Sequence, residues 1–250
     1  MQPFQANRSY LQSRVSETLG LLYADHFPYR QFASARGVRR SPIHSYLKTE
    51  GACFGEISGW ERANWFLPKA AKNAGKKAEY DYSWRRQNWF EYSAAEHMAV
   101  RQKVGMFDMS SFGKIKLIGR DAEAVLQRIA ANDVAVPVGK IVYTQFLNSE
   151  GHIEADVTIT RLSADEFLIV TPAATIRRDL HWINGHIPDS SHAIAVDITV
   201  SESVFVVMGP DARSFLEPLI PQSLENKDFP FGTMQPIEIG HAIARAHRVS

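Results

Sequence analysis

Apolar residues recur at three- and four-residue spacing through Tyr10, Leu11, Val15, Leu19 and Leu22, which predicts a helix over residues 9–24. From His26 to Arg40 the period is lost, and aromatic and basic side chains follow one another as in a connecting segment. Ser41-Pro42 has the form of a helix start, with serine as N-cap and proline at the first helical position, and Gly51 suits the end of that helix. Gly59 to Phe66 is an aromatic cluster without periodicity, and the lysine-rich run from Pro68 to Lys77 predicts a surface loop. Ser93 and Glu96 stand at capping-box spacing, predicting a helix through Val104 that stops at Gly105.

Beyond this point the period shortens to two. Lys114 to Ile118 alternates like a strand, and Val125, Leu126 and Ile129 mark a helix within residues 121–131. Val142–Leu147 and Ile153–Thr160 flank Asn148-Ser149-Glu150-Gly151, which is hairpin chemistry. Glu166–Thr171 reads as a strand, Ile176, Leu180 and Ile183 as a helix face, and Ala193–Val200 and Val204–Met208 as strands. Gly209-Pro210-Asp211 opens a further helix, and strand-like segments run from Ile237 to Val249. Strands joined by short turns dominate this half, so the expected fold is α+β: a largely antiparallel sheet with flanking helices.

The balance of 45% apolar and 22% charged residues permits a sizeable core, and a net charge of +1 argues against a nucleic-acid partner. No apolar run suits a membrane span and the N-terminus lacks signal-peptide form, so cytoplasm is the expected location. The single cysteine, Cys53, cannot form an intramolecular disulfide and reads as a buried, inert thiol. There is no G-x-G-x-x-G, Walker A, H-E-x-x-H, C-x-x-C or G-x-S-x-G motif. The nearest histidine pair, His181 and His186, lies off a single helical face, and no metal site is expected.

One strand draws attention for its chemistry. In residues 153–160, Ile153, Ala155, Val157 and Ile159 share one face, and Glu154, Asp156, Thr158 and Thr160 share the other. Aspartate is disfavoured in mid-strand. Asp156 is either a solvated acid on a half-exposed sheet or a carboxylate facing a ligand, available as base, acceptor or counter-charge.

Several blocks in order resemble the glycine-cleavage T-protein (aminomethyltransferase) family and its fusions to dimethylglycine and sarcosine dehydrogenases. They are Ser41-Pro42-Ile43 with Gly59-Trp60-Glu61, then Ala99 to Ser111 (AVRQKVGMFDMSS), Asn132-Asp133, Gly139 to Tyr143, Leu147 to Ile153, and Gly209-Pro210-Asp211-Ala212. The segment Phe54 to Phe66 is most similar to the flavin-dehydrogenase fusions. By this resemblance residues 1–40 are the tail of a linker region, and residues 41–250 are an incomplete T-protein-like folate-binding domain. The family continues beyond this point into a Tyr-x-Gly-Glu segment whose glutamate grips the pterin, then a C-terminal barrel.

The resemblance implies capture of an amine-derived iminium by tetrahydrofolate to give 5,10-methylenetetrahydrofolate. FAD would belong only to an N-terminal flavin domain, a possible partner. Asp156 matches the acid beside the folate nitrogens; T-proteins carry paired aspartates here, whereas this chain has Ala155 and Asp156, as in the dehydrogenase fusions. Phe112, Tyr143, Ile169, Thr171 and Arg248 fall where the family contacts folate, although Phe112 replaces a common methionine and Thr171 a common asparagine. For Phe112, Tyr143 and Ile169, ordinary core packing is the competing reading. A non-catalytic folate-binding module and an inactive fragment are the alternatives to an enzyme.

Overall fold

The computed structural model describes residues 3–250. In chain order its elements are α1 (Arg8–Tyr23), α2 (His44–Thr49), β1 (Ala52–Ile57), β2 (Trp60–Phe66), α3 (Lys69–Asn73), α4 (Phe90–Gln102), β3 (Gly105–Asp108), β4 (Gly113–Ile118) and α5 (Ala122–Ile129). They continue as β5 (Ile141–Leu147), β6 (Ile153–Arg161), β7 (Glu166–Thr171), α6 (Ile176–Gly185), β8 (Ile194–Asp197), β9 (Phe205–Met208), α7 (Ala212–Leu216), β10 (Thr233–Ile239) and β11 (Ala242–Arg248). The chain forms two compact units, residues 3–111 with 203–210, and residues 112–202 with 211–250. No helix among the described residues is long and apolar enough to cross a membrane.

The first unit contains two antiparallel strand pairs, β1–β2 and β3–β9. The β1–β2 turn is Ser58-Gly59, both with positive φ (49° and 82°), the geometry that matches the twist of the flanking strands. This hairpin was not foreseen, because its polar members are not solvent-facing. Glu61 is 8% exposed and accepts bonds from Arg36 Nε (2.8 Å) and the Gly37 amide (2.6 Å). Trp60 lies under the Arg39 guanidinium at 4.3 Å, and the backbone of Arg39 bonds to both Gly59 and Glu61 at 2.9 Å. The Gly-Trp-Glu block is thus a clamp between the hairpin and the segment before it.

Three expectations for this unit are corrected, the first being the Ser41-Pro42 helix start: α2 begins at His44, with Ile43 at the N-cap and no side-chain cap. α4 begins at Phe90, not at Ser93, and the Glu96 carboxylate accepts the Phe66 amide at 2.7 Å rather than closing a capping box. Lys69–Asn73, expected in a loop, makes one short helix. Cys53 is buried beside Trp65 and Leu67, and burial pushes its thiol up to about 12. The Ala99–Ser111 block spans the end of α4, β3 and its exit. A side chain at Gly209 (φ +127°) would meet the Lys103 carbonyl at 2.2 Å, so the Gly-Pro-Asp glycine seats the chain against the end of α4.

The second unit carries the sheet expected from the alternation: five strands in the order β5-β6-β7-β4-β8, all antiparallel. One face holds Ile115, Leu117, Val142, Phe146, Ala155, Val157, Ile159, Phe167 and Ile169 against Val125, Leu126 and Ile129 of α5 and Ile176 and Ile183 of α6. This mixed helix and antiparallel-sheet arrangement is the fold class foreseen. β8 is shorter than expected, ending at Asp197. The β10–β11 hairpin has its own small core of Ile220, Leu224, Phe229 and Ile237. It joins the sheet through the Met234 amide to the Gly139 carbonyl (2.6 Å) and the Ile141 amide to the Gly232 carbonyl (2.9 Å).

Candidate functional site

The second face of the five-stranded sheet is set by strand parity. Tyr143 and Gln145 of β5, Asp156, Thr158 and Thr160 of β6, and Leu168 and Val170 of β7 project to it. It is buried at Lys114, Thr160 and Leu168 and exposed at Tyr143 and Asp156. The β5–β6 turn places the exposed end. Asn148 Oδ1 accepts the amides of Glu150 and His152, each at 3.0 Å, and Gly151 takes the positive φ (81°) that the turn requires.

A bulge then changes the pairing. Leu147 lies opposite Ile153, but Phe146 lies opposite Ala155, so Glu154 is the extra residue. Ile153 is consequently 67% exposed instead of joining the core with Ala155, Val157 and Ile159, a correction to the strict alternation. Gln145 comes to stand directly opposite Asp156, and its Nε2 donates to Asp156 Oδ1 at 3.1 Å. Tyr143, one pleat further along, pairs with Thr158 and lies diagonal to Asp156. Its hydroxyl is held above the ordinary phenol range, first by the hydrogen bond to the Asp156 carboxylate, then by desolvation and by the Asp156 charge; Gln145 opposes the rise.

Glu154 is engaged differently. Its carboxylate accepts Asn148 Nδ2 at 3.1 Å, and its carbonyl takes the Arg178 guanidinium, so it fastens the hairpin turn. The two acids that strand alternation could not rank are therefore distinct: Glu154 is fixed within the turn, and Asp156 sits exposed, bonded by Gln145 and with Tyr143 diagonal to it on β5. An acid so held can accept an N–H or balance a positive charge developing above it.

The remaining residues assigned by resemblance lie elsewhere in this unit. Ile169 is fully buried and faces the helices, in the core with Ile115 and Ile159. Thr171 is 1% exposed, its hydroxyl bonded to the Asp179 carboxylate, which also accepts Thr175 at 2.6 Å. Both therefore point away from the face that carries Asp156, because they differ in parity from Val170, the residue opposite Thr158. Phe112 is half-buried just before β4. Arg248 on β11 donates to the Phe229 carbonyl and to Asn226 Oδ1, each at 2.5 Å, fastening the small hairpin core. Gln145 was missed by sequence reasoning. Counting back from the turn without the bulge sets it opposite Ala155, on the wrong face.

Residues 43–250 match the family model for the GCVT N-terminal domain, and residues 1–41 match that for the FAD dependent oxidoreductase central domain. Among curated proteins, 4-methylaminobutanoate oxidase (formaldehyde-forming) of Paenarthrobacter nicotinovorans is 41% identical over 98% of this chain and 29% of its own length. Mitochondrial sarcosine dehydrogenase of Homo sapiens is 29% identical over 96% of this chain and 30% of its own length. The chain thus spans less than a third of these relatives. The glycine cleavage system aminomethyltransferase T of Bartonella henselae shares the fold, with a TM-score of 0.62 at 19% identity, over 79% of this chain and 47% of that one. Ordered motif blocks, an antiparallel sheet of T-protein form and the match over residues 43–250 together establish that the chain belongs to the GCVT N-terminal domain family.

Proposed function

We propose that the chain is the tetrahydrofolate-binding, one-carbon-transfer part of a sarcosine- or dimethylglycine-dehydrogenase-like enzyme, with Asp156 as its acid. Residues 1–40 then form the tail of a linker from a flavin domain, which would hold the FAD and deliver an amine-derived iminium to residues 41–250. The observation that carries this reading is the Asp156 carboxylate, presented on the exposed end of the sheet between Gln145 and Tyr143. It stands in a chain whose residues 43–250 match the GCVT N-terminal domain.

The residues present fit the cofactor. Tyr143, 60% exposed, offers an aromatic surface to a flat ring system, and Asp156 beside it offers an acceptor to an N–H edge. When bound, tetrahydrofolate supplies the nitrogens that take up the one-carbon unit. Asp156 orients the reacting nitrogen, accepts its proton and balances the charge of the iminium. Ile169 and Thr171 contribute from the far side of β7 by fixing that strand, and Arg248 by fixing β11.

Calorimetry with tetrahydrofolate and a methylene-transfer assay in the enzyme that includes the flavin domain test this together. Asp156→Ala is expected to lower transfer by on the order of a hundredfold to ten-thousandfold while tetrahydrofolate binding falls much less. Glu154→Ala is expected to leave transfer nearly unchanged. Equal, small effects of both substitutions would return Asp156 to a solvated strand residue.

A further inference from the structure

We infer that Gln145 is a positioning residue that holds the Asp156 carboxylate in one orientation on the sheet face. The inference rests on the proposed role of Asp156 for its functional meaning, but not for its test. An aspartate on an exposed strand face has several staggered side-chain orientations open to it. The bulge at Glu154 brings Gln145 into register with Asp156, and the 3.1 Å bond from its amide fixes one carboxylate oxygen. Tyr143 and Gln145 are two apart on the same strand and share its face, so both side chains that flank Asp156 are placed by one backbone segment. The side chain at the clamp is neutral. Among the described residues, the ion pairs of this unit involve other carboxylates, and none forms at Asp156. An amide donor orients the carboxylate without cancelling its charge, whereas an arginine or lysine at the same place would occupy it as an ion pair. Strand alternation gives the face; the bulge and the amide give the direction.

The test uses the phenol of Tyr143 as a reporter of where the carboxylate sits, in the full chain and without folate. Tyrosine labelled with carbon-13 at Cζ is titrated by NMR, the Tyr143 line being assigned with Tyr143→Phe. Asp156→Asn removes the charge and sets the low reference for the Tyr143 midpoint. Gln145→Met keeps length and flexibility but removes the donor, and Gln145→Leu is the second variant should methionine disturb the strand. Two outcomes differ in sign. A side-chain donor beside a phenol favours the phenolate, and Gln145 stands two residues from Tyr143 on the same strand face, placed to act so. If it were only a neighbour of the phenol, its loss would leave Asp156 in place and the midpoint would rise. If it holds Asp156, its loss releases the carboxylate from the phenol and the midpoint falls towards the Asp156→Asn value. The fall is the expected result; a rise or no change overturns the inference. In the transfer assay, Gln145→Met is expected to lower kcat by about tenfold to a hundredfold, as for a misplaced reacting group, with KM for tetrahydrofolate little changed. Should Asp156→Asn leave transfer intact while the titration behaves as expected, the functional reading fails and the positioning stands.

Discussion

Removal of the Glu61 carboxylate tests the clamp that closes the first unit. The side chain is 5% exposed and ion-paired to Arg36, which is 29% exposed. It accepts Arg36 Nε at 2.8 Å, a second guanidinium nitrogen at 2.5 Å and the Gly37 amide at 2.6 Å. Breaking a buried pair by deleting one partner costs about 3–5 kcal/mol, mostly through the charge left behind. Here Arg36 keeps the carbonyls of Phe32 (3.1 Å) and Phe54 (3.0 Å) and some solvent. Glu61→Ala should therefore cost about 2–3 kcal/mol, and Glu61→Gln, which retains volume and one acceptor, about 1–2 kcal/mol. Urea unfolding followed by tryptophan fluorescence reads the change, since Trp60 and Trp65 lie in this hairpin. The cost should also depend on pH. Burial alone would raise the Glu61 carboxyl, but the bonds from Arg36 and Gly37 outweigh it and hold the group low. A depressed carboxyl contributes stability above its unfolded value, about 4.3, and loses it as pH falls through the folded value. The difference between wild type and Glu61→Gln should shrink below pH about 4. A Glu61→Ala protein within about 0.5 kcal/mol of wild type at pH 7, the range of ordinary surface substitutions, would refute the clamp.

Two further stability effects are expected, both in the second unit. Asp179→Ala leaves the Thr171 and Thr175 hydroxyls without their buried acceptor and should cost about 2–4 kcal/mol by denaturant unfolding. Gly119→Ala places a Cβ 2.0 Å from the His192 carbonyl at φ +135° and should cost more than about 1 kcal/mol; an unchanged midpoint would mean the loop yields freely.

Much of the second unit was legible because its signals are local. β5 and β6 alternate in burial, β7 is a short apolar run from Phe167 to Val170, and the turn between β5 and β6 announces itself through Asn148 and Gly151. The β1–β2 hairpin was not, since Glu61 is buried by an ion pair and alternation of hydrophobicity therefore fails to mark the strand. The start of α4 was misplaced because Glu96, which suits a capping box, is recruited by the Phe66 amide across the unit. Alternation placed Asp156 and Glu154 together on the polar face, and only the family resemblance ranked Asp156 first. The partner of Asp156 could not be read, because one extra residue at Glu154 resets the register, and no periodicity encodes a bulge. The same parity argument separates Ile169 from Val170 only once the pairing of β7 with β6 is known.

The pairing of β3 with β9 has a consequence for how the chain acquires its structure during synthesis. Gly105 must wait for Met208, and Met109 for the carbonyl of Val204, before their backbone bonds can close. The intervening segment, about a hundred residues, emerges from the ribosome first and contains the whole five-stranded sheet, whose neighbours are closer in sequence. The sheet can therefore form while β3 is still an open edge, and the first unit stays incomplete until β9 is made, although most of its residues precede the sheet. Any slowing of translation between Ser111 and Ser203 prolongs the life of that unpaired strand, with Met106 and Phe107 exposed upon it.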